Sequence, residues 1–170
     1  RSPSELIAQA PATCRDQSRL LILHRNSGLM EHRQFCDLTE FLSAGVVLVL
    51  NNSRVIPARL RGFSSKTGGQ FEILLLEENA TNDWWTMLRP GRRARVGIQI
   101  VLRDLRGKPG PVATVLETNE AGHRRLCFDG ATNIFEQLDA LGEVPLPPYI
   151  ERADRQSMEL DRERYQTVFA

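Results

Sequence analysis

The sequence lacks the motifs that usually indicate a bound nucleotide, a metal ion or a serine nucleophile. It contains no GxGxxG or P-loop pattern and no GxSxG elbow. Its three cysteines, Cys14, Cys36 and Cys127, form no CxxC pair and no zinc-ligand spacing with the histidines. These patterns therefore offer no metal site, and the widely separated thiols indicate a reducing, cytoplasmic setting.

Long apolar runs and a strong excess of one charge are also absent. No run approaches the roughly 20 apolar residues of a membrane helix, and the first residues carry no apolar signal-peptide core. The net charge of +1 over 170 residues forces no conclusion about nucleic acid. A hydrophobic content of 41% is that of an ordinary soluble chain that can bury a core. Because the chain has no initiator methionine, we expect it to be a fragment.

The most informative stretch covers residues 46–60. Its first five residues, 46–50, are all apolar, which predicts a strand buried on both faces in the middle of an α/β sheet. Asn51, Asn52 and Arg54 follow at the carboxyl end of that strand, where open α/β sheets bind their ligands. The planar guanidinium of Arg54 suits a carboxylate or a phosphate, and a structural ion pair is an equal alternative.

Turn residues divide the next part of the chain into short segments with the composition of β-strands. Spacing of this kind predicts a small antiparallel β-barrel or sandwich, with edges that we expect to be closed. The predicted fold class is α+β or α/β: a partial α/β domain (1–57 plus 131–170) interrupted by an inserted β-barrel (58–130). The six predicted strands are 58–64, 70–77, 84–88, 98–103, 112–118 and 123–129.

The two flanking parts carry patterns of short helices and strands. Ser2 and Glu5 fit a capping box at a first helix, and Asp37 can cap another. Gly142 is a natural helix end, and the three prolines that follow exclude a helix over 143–150. Predicted helices cover 2–9, 38–43, 131–141 and 157–164, and predicted strands cover 19–24, 29–35 and 165–169.

Two turns within the predicted barrel have residues that suit contact with a ligand. Gly68 and Gly69 allow close approach of the backbone, although an ordinary hairpin turn is the favoured interpretation. We expect several of the arginines of 89–95, together with Arg59, Arg61 and Lys66, to share one face if the barrel closes, which suggests contacts to RNA phosphates. A solvated charged turn is the alternative.

Two segments near the end of the chain carry aromatic and polar side chains. Tyr149 follows a run of prolines, where its ring could stack on a base or lie in a stiff connector. Tyr165, Gln166 and Thr167 lie where a strand is predicted to begin, and a capped helix end with a packed Tyr165 is the alternative. These residues alone identify no general acid or base.

Together these stretches resemble the amino-terminal half of the S-adenosylmethionine:tRNA ribosyltransferase-isomerase family of queuosine biosynthesis. The resemblance covers essentially the whole chain, and the ordered set of matches is more specific than any single match. The family usually has aspartate at the position of Val46 and often at that of Asn52. Asn52 keeps the shape of aspartate without its charge, which argues against a carboxylate role at this point. The matching segments are 5–9, 18–21, 47–60, 67–69, 89–91, 142–150 and 163–170.

The resemblance implies an unusual reaction in which S-adenosylmethionine is a ribosyl-donating substrate and no cofactor or metal takes part. The ribosyl moiety is transferred to 7-aminomethyl-7-deazaguanine at the wobble position of a tRNA with a GUN-type anticodon. Its isomerisation gives epoxyqueuosine, with release of adenine and methionine. We expect a cytoplasmic monomer, and we expect this fragment alone to have little activity. A non-catalytic RNA-binding β-barrel module is the alternative.

Two sets of binding residues follow from the patterns and the resemblance, whereas the catalytic residues stay unknown. Both sets consist of side chains or glycines suited to anionic or aromatic ligands. The substrate-binding candidates are Asn51, Asn52, Arg54, Arg59, Tyr149, Tyr165, Gln166 and Thr167. The tRNA-contact candidates are Arg61, Lys66, Gly68, Gly69, Arg89, Arg92 and Arg93.

Overall fold

The computed structural model of the protein describes residues 3–150 and 155–168, leaving out the side chains of Ser4 and of 155–158. Most of the described regular structure is β, and the helices are short. The strands are β1 (Arg19–Leu23), β2 (Met30–Gln34), β3 (Arg59–Ser64), β4 (Gln70–Ala80), β5 (Asp83–Arg89), β6 (Gln99–Arg103), β7 (Pro109–Thr118), β8 (Arg124–Asp129) and β9 (Gly142–Glu143). The α-helices are α1 (Leu138–Leu141) and α2 (Arg155–Arg164), and 3₁₀ helices cover Ser4–Leu6, Arg15–Gln17, Phe35–Phe41, Gly91–Arg93 and Phe135–Gln137.

Six of the strands close into an antiparallel barrel. Their order is β3, β4, β5, β8, β7, β6 and again β3, because β3 pairs with β4 on one side and with β6 on the other. The short strand β9 extends the β6 side of β3, where Gly142 lies opposite Leu60. Closure removes the unpaired strand edges on which sheets aggregate. The predicted antiparallel barrel of about six strands is therefore confirmed.

Alternating side chains of the barrel strands form the core. Along β4, Phe71, Ile73 and Leu75 are buried, whereas Glu72 between them is partly exposed. Full burial of one such apolar side chain stabilises the fold by about 1.5–3 kcal/mol. Outward positions on the same strands are therefore available for binding. The largest fully buried side chains are Leu60, Ile73, Thr86, Ile100, Leu102, Val115, Leu126, Phe128 and Ile134.

The helix predicted over 131–141 is much shorter in the structure. Within that range only Phe135–Gln137 and α1 are helical. The cause is the side-chain amide of Asn82, which donates to the Ala131 carbonyl (2.8 Å) and accepts the N–H of Ile134 (2.7 Å). These bonds fix the backbone before the helix in another conformation. The prediction of a continuous helix was therefore wrong.

The run 46–50 is not a buried strand in this structure. It joins no described sheet, and the side chains of Val47 and Val49 are 83% and 87% exposed. A strand needs a neighbour to bond its backbone N–H and C=O groups, and no described strand lies beside this run. The prediction of a buried central strand at 46–50 was therefore wrong for the part of the chain that the structure describes.

Predictions near the two chain ends also differ from the structure. The first helix is only the 3₁₀ turn Ser4–Leu6, and its predicted cap, Ser2, lies outside the described residues. No strand is present over the described residues 165–168, since the Tyr165 N–H bonds the Asp161 carbonyl (2.9 Å) and continues the turn of α2. The predicted helix that precedes this turn is confirmed as α2.

The hairpin predicted near the amino terminus is confirmed as β1 and β2. The helix predicted after it begins three residues early, at Phe35, because the Asp37 carboxylate accepts the Gln34 N–H (2.9 Å). The division into 1–57 plus 131–170 and 58–130 stays a prediction. Among the described residues, no helix has both the length and the apolar character needed to cross a membrane.

An ion pair joins β5 to β8 on the outside of the barrel. Arg125 donates to the Asp83 carboxylate through Nε (2.8 Å) and Nη2 (2.6 Å). The hydrogen bonds from Arg125 lower the pKa of Asp83, against a smaller effect of burial. Because the folded state holds Asp83 ionised, the pair stabilises the barrel only where that carboxyl has lost its proton.

We expect Gly142→Ala to destabilise the protein. An added Cβ would overlap the Pro57 carbonyl oxygen and would approach the Leu138 carbonyl oxygen to 3.0 Å. Overpacking of this kind costs about 1–3 kcal/mol, which a denaturant titration measures. Gly110→Ala is the matched control, since its Cβ would meet only ordinary contacts from 3.6 Å. Equal stability of the two variants would contradict this account of Gly142.

We expect the contribution of Asp83 to depend on pH. Its folded-state pKa is lowered, so its stabilisation is complete above the unfolded pKa of about 3.9 and is lost as the pH falls through the folded value. Asp83→Asn should therefore be less stable than the wild type at pH 7 and should approach it in acid. Glu120→Gln, at an exposed turn residue, is the control. A wild-type advantage over Asp83→Asn that persists unchanged in acid would refute this.

Candidate functional site

A cavity of about 410 Å³ opens between the barrel and α2. A volume of this size accommodates a small organic ligand or part of a larger one. Its wall combines cationic, anionic and apolar side chains. The lining residues are Arg59, Arg61, Leu105, Arg106, Gly142, Glu143, Val144, Leu146, Ile150, Glu159, Asp161 and Arg162.

Two arginines of the cavity are already engaged by protein groups. Arg61 donates to both carboxylate oxygens of Glu143, at 2.6 and 2.9 Å, and this bidentate pair raises the pKa of Arg61. Arg162 donates to the backbone carbonyls of Asp139 (2.7 Å) and Gly142 (2.9 Å). These bonds hold α2 against the barrel and fix the shape of the cavity wall.

Arg59 is a partly buried cation of the cavity wall. Its Nη2 donates to the Leu146 carbonyl (2.9 Å), but its buried Nε has no hydrogen-bond partner, and Glu72 lies 3.8 Å away. A buried donor without a partner carries a desolvation penalty, which an anionic ligand oxygen would relieve. Arg59 is therefore the substrate-binding candidate that the structure brings into the cavity.

The polar segment after residue 50 lies on the surface. Asn51 accepts the Ser53 N–H through its side-chain oxygen (2.8 Å), which forms a local turn. Asn52 and Arg54 are exposed, and Arg54 has no ion pair among the described residues. The alternative of a structural ion pair at Arg54 therefore has no support from the described part of the chain.

Gln166 holds the chain that enters the barrel. Its amide Nε2 donates to the Val55 carbonyl (2.6 Å), and its Oε1 accepts the Val55 N–H (2.7 Å). With these two bonds the Gln166 amide pairs with the Val55 backbone as a neighbouring strand would. The Gln166 amide is therefore occupied by the backbone, and its observed contacts are those of a positioning residue.

The two tyrosines among the candidates lie at the surface. Tyr149 is 56% exposed and Tyr165 is 40% exposed, so both rings can be reached from solvent. The Thr167 hydroxyl is different, since it is buried and has no hydrogen-bond partner among the described residues. Only Arg59 of the substrate-binding candidates lines the cavity itself.

Two barrel turns that the sequence suggested as RNA contacts lie side by side. A Cβ added to Gly69 would lie 3.9 Å from Nη1 of Arg93, so the guanidinium approaches the glycine turn closely. The Ser64 hydroxyl accepts the N–H groups of Lys66 (3.3 Å) and Thr67 (3.2 Å), which fixes that turn. We call this region the turn surface, and it consists of Lys66, Gly68, Gly69, Arg92 and Arg93.

Arg124 stabilises the turn surface through hydrogen bonds to the backbone on either side of Arg92 and Arg93. It donates to the carbonyls of Ala94 (2.9 Å), Gly91 (3.1 Å) and Gly122, so each of its three guanidinium nitrogens bonds the backbone. Sequence reasoning missed this residue, because backbone acceptors leave no signal in the identity of the contacted residues. Arg15 was missed for the same reason, and it donates to the carbonyl of Gln166 (2.7 Å).

The remaining tRNA-contact candidates, Arg61 and Arg89, lie on strands and not in the two turns. Arg61 and Arg89 occupy outward positions of β3 and β5, separated by Glu72 of β4. Both side chains are exposed, although Arg61 is paired with Glu143. Among the described residues, no group of three or more His, Cys, Asp or Glu side chains is arranged to hold a metal ion.

Comparison with known proteins gives consistent matches. The family described as "Queuosine biosynthesis protein" matches residues 1–170. Relatives named S-adenosylmethionine:tRNA ribosyltransferase-isomerase include those of Staphylococcus saprophyticus (47% identical) and Caldanaerobacter subterraneus (44% identical). Each match covers 99% of this chain and 47% of the relative. A solved S-adenosylmethionine tRNA ribosyltransferase from Thermotoga maritima is 35% identical, with a TM-score of 0.41, over 94% of this chain and 52% of that one.

The family match and the curated relatives agree with the resemblance that the ordered sequence motifs indicated. The chain spans about half the length of the curated relatives it matches. The family match nevertheless extends over every residue of the chain. The chain therefore belongs to the queuosine biosynthesis protein family.

Proposed function

We propose that this chain forms part of an enzyme that transfers and isomerises the ribosyl moiety of S-adenosylmethionine. The acceptor is 7-aminomethyl-7-deazaguanine at the tRNA wobble position, and epoxyqueuosine, adenine and methionine are the products. The observation that carries the proposal is the family match over residues 1–170. The cavity is compatible with a small substrate, and the arginines of the neighbouring barrel are compatible with a polyanionic one.

We propose that the cavity binds the small substrate or the reacting group of a larger one. Arg59 supplies a partly unpaired guanidinium there, which suits a carboxylate or phosphate oxygen. The Arg61–Glu143 pair and Arg162 keep the wall in place while Arg59 binds. In this role Arg59 orients an anionic group, and no proton transfer is assigned to it.

We propose that the exposed run 46–50 contacts the part of the protein that corresponds to the unmatched half of the relatives. Five apolar side chains that are each more than half exposed are unfavourable in water. Pairing of this run with a strand from outside the chain would bury them. It would also bring Asn51, Asn52 and Arg54 to a strand end that faces substrate. We therefore propose that much of the active site requires residues beyond this chain.

The turn surface is the proposed contact with tRNA phosphates. Arg92, Arg93 and Lys66 are exposed, and no ion pair neutralises them among the described residues. Gly68 and Gly69 let a phosphate approach the backbone N–H groups closely. Arg124 holds one of the two turns in place before RNA binds, so less ordering is needed on association.

The reaction can be tested in a chimera. Residues 1–170 replace the aligned segment of the Staphylococcus saprophyticus relative, and the chimera is incubated with S-adenosylmethionine and tRNA carrying 7-aminomethyl-7-deazaguanine. We expect adenine release from the chimera and little or none from the 170-residue chain alone. Arg54→Ala in the chimera should weaken substrate binding about tenfold at an unchanged melting temperature, whereas Arg25→Ala, at an exposed hairpin turn, should not.

Other outcomes separate the rival interpretations. A folded chimera that binds tRNA without S-adenosylmethionine and releases no adenine would favour a non-catalytic RNA-binding barrel. Rapid adenine release by the 170-residue chain alone would contradict the need for further residues. Loss of melting temperature in Arg54→Ala with unchanged substrate binding would assign Arg54 a structural role.

The turn surface can be tested through the salt dependence of tRNA binding. We expect Arg92→Ala and Arg93→Ala each to reduce the slope of log K against log salt concentration by about one, since each removes one phosphate contact. Arg25→Ala carries the same charge change on the distant hairpin and should leave the slope unchanged. Equal slopes for all three variants would exclude the turn surface as the site of phosphate contact.

A further inference from the structure

The outward face of four barrel strands carries a row of charged side chains. Arg61 of β3 lies opposite Arg103 of β6 on one side and opposite Glu72 of β4 on the other. Glu72 in turn lies opposite Arg89 of β5. We call Arg103, Arg61, Glu72 and Arg89 the arginine row. It runs for about 14 Å around the curved outside of the six-stranded barrel, at the usual strand spacing of about 4.8 Å.

The two ends of the arginine row differ from its centre in charge. Arg61 is neutralised by Glu143, and Glu72 lies 3.8 Å from Arg59. Arg103 and Arg89 are exposed and take part in no ion pair or side-chain hydrogen bond among the described residues. The face therefore offers two separated free guanidinium groups with a balanced region between them.

Arg103 is held over an aromatic ring. Its Cζ lies 4.6 Å from the centroid of Phe63, which is two residues after Arg61 on the same face of β3. This cation–π contact restrains the guanidinium while leaving Arg103 exposed. Planar guanidinium groups and aromatic rings are the surfaces on which unpaired bases stack.

The row connects the two regions already described. Arg89 directly precedes the Pro90–Arg93 turn of the turn surface, and Arg61 also lines the cavity. The row therefore has the turn surface at its Arg89 end and the cavity at Arg61, with Glu72 between these two arginines.

We propose that the arginine row and Phe63 form a platform for single-stranded RNA, on which an unpaired base stacks against Arg103. Arg89 binds a phosphate at the other end of the row. The proposal rests on the proposed function and deepens it, since it names unpaired nucleotides as the part of tRNA that this face receives. Duplex RNA is a poorer fit, because its stacked bases leave no free face for Arg103.

The test uses this chain with a labelled single-stranded RNA, the same strand annealed to its complement, and a tRNA transcript. We expect tighter binding of the single strand than of the duplex. Arg103→Lys keeps the charge and loses the planar group, so single-strand affinity should fall about tenfold at an unchanged salt slope. Phe63→Leu should produce a similar loss, with its melting temperature measured alongside. Arg25→Lys on the hairpin is the matched control.

The outcomes distinguish this proposal from the one on which it rests. Wild-type binding of tRNA with no effect of Arg103→Lys or Phe63→Leu would overturn the platform and leave the proposed function standing. Tighter binding of the duplex than of the single strand would also overturn it. Failure of the wild-type chain to bind any of the three RNAs would count against both proposals.

Discussion

Strand β3 pairs with both β4 and β6, and this double pairing determines where the cavity and the turn surface lie. These two ladders close the barrel and bury Leu60 completely inside it. The first residues of β3 also pair with β9, which fixes the point where the chain returns from the barrel. One strand therefore carries Arg59 at the cavity and leads directly into the turn that ends at Gly69.

Besides the arginines held in ion pairs, such as Arg61 and Arg125, two groups of arginines differ in their contacts in this nearly neutral chain. One group donates to backbone carbonyls and thereby positions the cavity wall, the turn surface and the segments before and after α2. A second group is exposed and unpaired among the described residues, and its members on the barrel make the exterior of the barrel locally basic. Local charge, and not the net charge of +1, is what a polyanion would meet. The first group consists of Arg15, Arg124, Arg162 and Arg164, and the second of Arg54, Arg89, Arg92, Arg93 and Arg103.

The parts predicted correctly from the sequence are those that depend on local patterns. Alternation of apolar residues and turn chemistry are properties of neighbouring residues, so the barrel strands and the β1–β2 hairpin could be predicted. The prediction of a buried strand at 46–50 was wrong because the burial of a strand depends on partners that are distant in sequence. Asn82 prevents the first turn of the expected helix through contacts about 50 residues away, which no periodicity reveals.

The candidate site shows the same limit. Arg59 and the turn surface were recognisable from residue type, and the structure brings each to a position suited to an anion. The occupied amide of Gln166, its partner Val55 and the supporting role of Arg124 were not recognisable, since each depends on a backbone group supplied by folding. The residue types indicated which side chains suit ligand binding. Only the fold showed which of them are occupied by backbone groups and which can still bind a ligand.

We propose that RNA binds to the turns and the outward strand face of the barrel, beside the cavity. Amide hydrogen exchange of this chain with and without tRNA measures such contacts along the whole chain. We expect slower exchange on tRNA addition at 65–69, 91–94 and 99–103, with no change in the β1–β2 hairpin. Protection confined to the hairpin, with the barrel turns unaffected, would contradict it.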